Sequence, residues 1–453
     1  MNKSVESVHR GGGKDVSPFS EKELEHGKHE ETTETTEVSN ETKKADVTFP
    51  DGGLGAWVVV LGVFLTQFAT FGYTNAYGVY NDFYVREYLV NTSTSSQISW
   101  IGSVQLFLVL SVGLISGRGF DSGYFYHLMI AGAALFVFSL LMISITQAEK
   151  YYQLFLAQGL GLGISVGIMY IPALGIVSHY FQKRRALALG IATSGSAFGG
   201  AIHPIMLNAW FHGSLGFHSG VKASAGLTGG LLIIAILLMK PRYPPNAKKA
   251  GSTLKLVRHF LGDLPYVILI LGTALVLAGL YYPIFFVQLN AIKNGISSGL
   301  AFYMIAILNG ASVVGRVAPN MLVYRFGAFN VIIPCVFVAS ILVFCTLAVT
   351  NAPGTIIFAV LYGFFSGAYI GLLAPMIASV AESDSEIGAR FGVCFTFTGL
   401  GGLIGMPIAG ALLSSNFIWW RPILFSGLCV CCGGLCFTTS RFFISRKKGT
   451  QLL

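Results

Sequence analysis

An arginine at position 316 interrupts an apolar run, LNGASVVGRVAPN over residues 308–320, which begins near Ser297 and meets its next polar break at Arg325. A guanidinium presents a planar fork of donors that matches a carboxylate through two parallel hydrogen bonds, so an arginine inside an apolar stretch suits the capture of an organic anion. The competing role is an anchor whose charge bends back to the nearest membrane interface along its apolar stem.

Uncharged polar side chains in other apolar stretches complete a lining. Gln67, Thr70 and Thr74 recur at i, i+3 and i+7 with Asn75 beside them, and Tyr170, Tyr281, Tyr282, Tyr303, Asn309 and Tyr369 lie in further runs. Such a set holds an acid with an apolar or aromatic body by hydrogen bonds and ring contacts. The substrate-binding set is expected to be Arg316, Asn75, Asn309, Gln67, Thr74, Tyr170, Tyr282 and Tyr369.

Proton chemistry has few carriers here. The acidic residues beyond position 51 are Asp82, Glu87, Asp121, Glu149, Asp263, Glu382, Asp384 and Glu386, all in loops or at the ends of apolar runs. Within a run, the one side chain that changes charge near neutrality is His203, which is the candidate for proton coupling; a structural bond to a helix carbonyl is its other role. Gly163-Ile164-Ser165-Val166-Gly167 fits a nucleophile-elbow pattern but sits inside an apolar run, where its glycines read as packing residues. Cys429, Cys431, Cys432 and Cys436 crowd the last run without histidine or carboxylate support. Neither catalysis, a metal nor a cofactor is expected.

The elements that position these residues follow from composition. A chain of 453 residues that is 53% hydrophobic and 11% charged, with mean hydropathy +0.67, belongs in a membrane. Its partners are then lipids and a small-molecule substrate, with no nucleic acid and with the monomer as the functional unit. Apolar runs, each long enough to cross a hydrocarbon core of ~30 Å as a helix, lie near 57–78, 98–116, 127–146, 152–177, 187–207, 221–239, 265–287, 298–319, 330–349, 354–380, 391–413 and 422–442. Stretches such as GGLLIIAILLM do not alternate, which excludes a β-barrel. The fold class is all-α, with twelve transmembrane helices.

Twelve of the 20 acidic residues fall in the first 51 positions, where EKELEHGKHEETTETTE has too few apolar side chains to offset the entropy of ordering. Residues 1–50 are therefore expected to be a disordered cytosolic tail. The division continues with a six-helix bundle over 51–240, a cytosolic linker over 241–264, a second six-helix bundle over 265–442 and a cytosolic tail over 443–453. With the N-terminus inside, inner loops and the C-terminal tail collect sixteen lysines and arginines against five outside, so both termini face the cytosol. The sequon at Asn91 then lies in the first outer loop and is the candidate glycosylation site. The plasma membrane is the expected location, with a vacuolar or other internal membrane as the alternative.

Internal symmetry divides the span in two. Pro172 and Pro375, Pro204 and Pro407, and Gly199 and Gly402 all share an offset of 203 residues. Two related halves with a site between them at mid-membrane is the build of secondary transporters.

The stretch DGGLGAW from Asp51, the segment YFQKRRALALGIATSGSAFGG from Tyr180 to Gly200, and the inner loop with Gly117 and Asp121 resemble the monocarboxylate transporter family of the major facilitator superfamily, in its fungal branch. The resemblance implies a major facilitator fold and alternating access. It also implies that Arg316 binds the substrate carboxylate and that Asp121, Lys183, Arg184 and Arg185 belong to gating motifs. Two positions depart from that pattern: Ser312 stands where the family has an aspartate one turn before the arginine, and Asn75 stands where the animal branch has a lysine. The expected function is transport of a small organic acid or related metabolite. Efflux of a fungal secondary metabolite is the alternative, and a non-transporting membrane receptor is the alternative of another class.

Overall fold

The computed structural model describes residues 51–242, 253–381, 386–413 and 418–452. The expected disordered tail over 1–50 lies outside the described residues, as do Glu382 and Asp384.

The first half contains α1 (Leu54–Tyr88), α2 (Gln97–Asp121), α3 (Phe125–Ile143), α4 (Tyr151–Val177), α5 (Arg185–Phe211) and α6 (Gly216–Leu238). A short helix, Thr253–Leu261, leads to the second half, made of α7 (Leu264–Lys293), α8 (Ser298–Phe326), α9 (Ala328–Cys345), α10 (Ala352–Val380), α11 (Ile387–Leu413) and α12 (Trp420–Lys448). Eleven of the twelve are long and apolar enough to cross a membrane by hydropathy alone. The exception is α5, whose segment ATSGSAFGG replaces large apolar side chains with small ones.

Those small residues set how α5 packs. A methyl on Gly199 would stand 2.5 Å from the Phe68 carbonyl oxygen of α1, and one on Gly195 would collide with Phe64. Only bare backbone allows the two helices to approach so closely. Gly401 and Gly405 bring α11 equally close to α7 at Ala274 and Ala278, so the second half repeats the packing of the first.

Several helices outrun their expected ends, α1 the furthest. The first apolar run was expected to end near 78, yet α1 continues to Tyr88 and closes in a π-helical turn over Tyr84–Tyr88. Tyr73, Tyr77, Tyr80, Tyr84 and Tyr88 recur every three or four residues and are all buried. Tyr80, Phe83, Tyr84 and Tyr88 pack around Phe217, and the Tyr84 hydroxyl donates to Gln158 Oε1 of α4 at 2.6 Å. Aromatic packing carries this stretch where hydropathy reads a loop. At the other terminus, α12 runs to Lys448 rather than stopping near 442, so most of the expected C-terminal tail is helical.

Arg390, which opens α11, is 2% exposed although its neighbourhood in sequence reads as an inner loop. Nη1 reaches Asp263 at 3.2 Å and Nε reaches Glu386 at 3.3 Å. The guanidinium also lies 4.7 Å from the ring centre of Phe260 and 4.9 Å from that of Tyr266. Two carboxylates and two aromatic faces thus replace its water. The cluster ties the short linking helix to α7 and α11.

Candidate functional site

Arg316 lies on α8 and is 2% exposed. It does not bend back to an interface. Nη1 donates to the Thr193 carbonyl at 2.8 Å and to Ser196 Oγ at 2.5 Å, both on α5 of the other half. Nε reaches Ser312 Oγ, one turn back on its own helix, at 3.4 Å. Every acceptor is neutral. The Ser196 hydroxyl spends its own proton on the Thr193 carbonyl at 3.0 Å, which turns its lone pairs to the arginine.

The same stretch of α5 receives two of the expected asparagines. Asn75 Nδ2 donates to the Ser196 carbonyl at 3.4 Å, and Asn309 Nδ2 donates to the Gly200 carbonyl at 3.1 Å. Thr193 to Gly200 is therefore the strip on which α1 and α8 converge. Tyr170 and Tyr281 lie within electrostatic reach of Arg316, and half-buried Tyr170 packs between Phe71 at 5.5 Å and Phe395 at 5.7 Å.

Other expected residues lie apart from this group. Thr74 is buried and accepts from Gln105 Nε2 at 3.3 Å, while Gln67 is buried with its Nε2 unpaired. Tyr282 lines a small apolar cavity with Pro283, Phe286 and Trp419. Tyr369 turns into the second half, donating to the Thr273 carbonyl at 3.4 Å and stacking on Phe437. Tyr303 is 50% exposed on the outer surface of α8. His203 is fully buried inside the first half, caged by Phe68 and Tyr73, with Nε2 3.1 Å from the Phe68 carbonyl oxygen. Among the described residues it touches neither Arg316 nor a carboxylate.

Sequence reasoning missed Thr193, Ser196, Ser312 and Gln105 as members of polar contacts. Ser196 lies among glycines in a stretch of small residues, and the signal that sets it apart is only its register against Arg316, which no local pattern carries.

The residues expected in gating motifs gather at the lysine- and arginine-rich end of the helices. Asp51 Oδ1 accepts the backbone N–H groups of Gln182 at 2.7 Å, Lys183 at 2.8 Å and Arg184 at 3.4 Å, and the Asp51 N–H returns a bond to the Tyr180 carbonyl at 3.0 Å. The stretch DGGLGAW and the segment from Tyr180 therefore form one joint, closed by Trp57 against Phe181 at 5.1 Å. Arg185 begins α5 immediately after it. Asp121 faces the first turn of α11, where a methyl on Gly388 would stand 3.2 Å from its Oδ2. A carboxylate there meets the positive end of the helix dipole. From this end to mid-membrane the halves approach at Leu114 and Gly392, at Leu106 and Gly402, and at Arg316 and Ser196. Asn91, at the opposite end, is exposed and donates to Glu149 Oε1 at 3.1 Å. Ser165 of the elbow-like pattern is buried in α4 and donates to the Leu162 carbonyl at 2.8 Å.

Comparison with known proteins agrees with this architecture. The chain is 39% identical over 387 residues to an aspyridones efflux protein of Emericella nidulans, covering 85% of this chain and 78% of that one. It is 34% identical over 391 residues to an agnestins efflux protein of Paecilomyces divaricatus, covering 86% and 88%. Its fold superposes on the transporter FucP in the outward conformation with a TM-score of 0.64 at 16% identity, over 84% of this chain and 99% of that one. Neither relative is named for a monocarboxylate, so the finer resemblance gives way to the broader one. The Major Facilitator Superfamily profile matches residues 54–321, and with twelve helices in two halves and relatives of this identity the chain belongs to that superfamily of secondary membrane transporters.

Proposed function

We propose that this chain is a fungal efflux transporter that expels an acidic secondary metabolite by alternating access of its two halves, with Arg316 pairing with the anionic group. The observation that carries the reading is a buried guanidinium whose acceptors are all neutral. A desolvated cation without a counter-ion is costly, and an anionic ligand relieves that cost. The aromatic surroundings at Tyr170, Phe71 and Phe395 suit an apolar ring system larger than a short-chain acid. Efflux of a secondary metabolite replaces transport of a small organic acid as the leading reading because the relatives are named for the export of aspyridones and agnestins.

The halves pivot, on this reading, as residues 51–240 and 265–442, with the joint at Asp51 and the contact of Asp121 with α11 closing the cytosolic side. Asn75, Asn309 and Tyr170 orient the rest of the ligand. His203 holds α5 to α1 and takes no part in proton transfer. Deleting the encoding gene and comparing cells with medium by mass spectrometry tests the function. The expected result is an acidic metabolite retained by the deletion strain and released again on complementation with the intact gene but not with Arg316→Gln. Release that is unchanged by the deletion overturns it.

A further inference from the structure

We infer that Ser196 and the Thr193 carbonyl are a docking station for Arg316, so that the guanidinium proposed to read the anion also latches the two halves together. The inference rests on the anion-binding role of Arg316 only for its consequence in transport; the latch stands on geometry. Nη1 gives both of its hydrogens to α5, at 2.8 and 2.5 Å, whereas Nε has a single long bond within α8 and Nη2 has no hydrogen-bond acceptor among the described residues. One edge of the fork is committed to the opposite half and the other edge remains available. Helix α8 can come this close because a methyl on Gly190 of α5 would stand 2.6 Å from the Arg316 carbonyl oxygen, and one on Gly371 of α10 would stand 2.9 Å from it. Bare backbone on both sides forms a slot that fixes the arginine at this depth.

Alternating access requires α5 and α8 to separate at the end where they now touch, because they belong to different halves. Separation breaks both Nη1 bonds at once. Their strength is thus part of the free-energy difference between the two states, and Thr193 and Ser196 are positioning residues for transport. The neutrality of the partners sets the scale: a bond between a charged donor and a neutral acceptor resists opening without the lock that a buried ion pair imposes. A ligand anion that takes Nη1 in the open state replaces what the latch gave up, which couples ligand occupancy to reorientation.

Spin labels on non-canonical side chains at Gln182 and Arg325, exposed residues at the same end of opposite halves, report the separation by pulsed dipolar spectroscopy without touching the native cysteines. In ligand-free protein, Ser196→Ala is expected to raise the ratio of separated to closed populations about ten-fold, which is one charge-assisted bond at roughly 1.4 kcal/mol. Ser196→Thr keeps the hydroxyl and is expected to keep the native distribution, while Ser196→Asp creates an ion pair and narrows the distribution to the closed state. Arg316→Gln should behave like Ser196→Ala. Unmoved distances in Ser196→Ala, with Ser196→Asp also unmoved or misfolded, overturn the latch. If Arg316→Gln abolishes binding of the exported acid while distances stay fixed, the latch fails and the anion site stands; if distances shift while binding stays intact, the latch stands and the anion site fails.

Discussion

Ser196 Oγ lies 2.5 Å from Arg316 Nη1, although the two residues stand 120 positions apart on helices of different halves. Among the described residues no carboxylate shares that contact, and every acidic side chain lies in a loop or toward the end of a helix. Flux is therefore expected to depend weakly on an imposed pH gradient once the ionisation of the substrate itself is held constant. Proteoliposome transport at fixed substrate charge, with and without the gradient, measures this. Strong proton-driven accumulation contradicts it, and its loss in His203→Ala would transfer the coupling to the imidazole.

Arg390 offers a test of stability. Replacing it with alanine strands the carboxylates of Asp263 and Glu386 beside two aromatic rings, which should destabilise the purified protein by about 3–5 kcal/mol. Arg390→Lys keeps the charge but loses the fork and the flat face, so its melting temperature should fall between the two. Wild-type melting in Arg390→Ala would show that the cluster contributes nothing.

The joint at Asp51 separates an acceptor from a charge. Asp51 has φ +46°, a region that asparagine and aspartate tolerate better than alanine, and its carboxylate takes the N–H groups of Gln182 and Lys183. Asp51→Asn should retain most of the joint, whereas Asp51→Ala should cost about 1–2 kcal/mol, as the loss of a helix cap does. Amide hydrogen exchange over residues 180–185 checks it: faster exchange in the alanine variant alone is expected, and equal rates in all three proteins would contradict the joint.

His179, between α4 and α5, is held down to about 4 from its ordinary 6.5, first by burial and then by the Arg185 guanidinium. Its Nδ1 accepts the Arg242 N–H at 3.4 Å and its ring stacks on Phe120, both compatible with the neutral form. The folded state resists a proton that the unfolded state accepts, so stability is fully present above pH 6.5 and is lost as pH falls from there towards 4. Melting temperatures across that window should drop with pH, and His179→Gln should flatten the profile. An unchanged slope in the variant would assign the acid sensitivity elsewhere.

Much of this was legible in the sequence, and what escaped it has physical reasons. Arg316 announced itself because a charge inside an apolar run is costly enough to demand a role. Its partners did not, since Thr193 and Ser196 are ordinary small residues whose meaning depends on how α5 meets α8. Asn75 and Asn309 were found by polarity, and both do bind the same strip. Tyr282, Tyr303 and Tyr369 were chosen by the same criterion and point elsewhere, because a tyrosine in a span serves packing, interface and cavity alike. The extension of α1 to Tyr88 was hidden because hydropathy scores tyrosine as polar while its ring packs as a hydrophobe.

The most direct measurement of the central claim is the affinity of reconstituted protein for the exported acid and for its neutral methyl ester, in the native chain, Arg316→Lys and Arg316→Gln. Arg316→Lys keeps the charge and loses one of the two contacts of the fork, which should weaken binding of the acid by about ten- to hundred-fold, equivalent to ~1.5–3 kcal/mol; Arg316→Gln loses the charge as well and should weaken it at least as much, and both should leave the ester little changed. Unchanged affinity for the acid in both variants, at normal folding, would contradict the account.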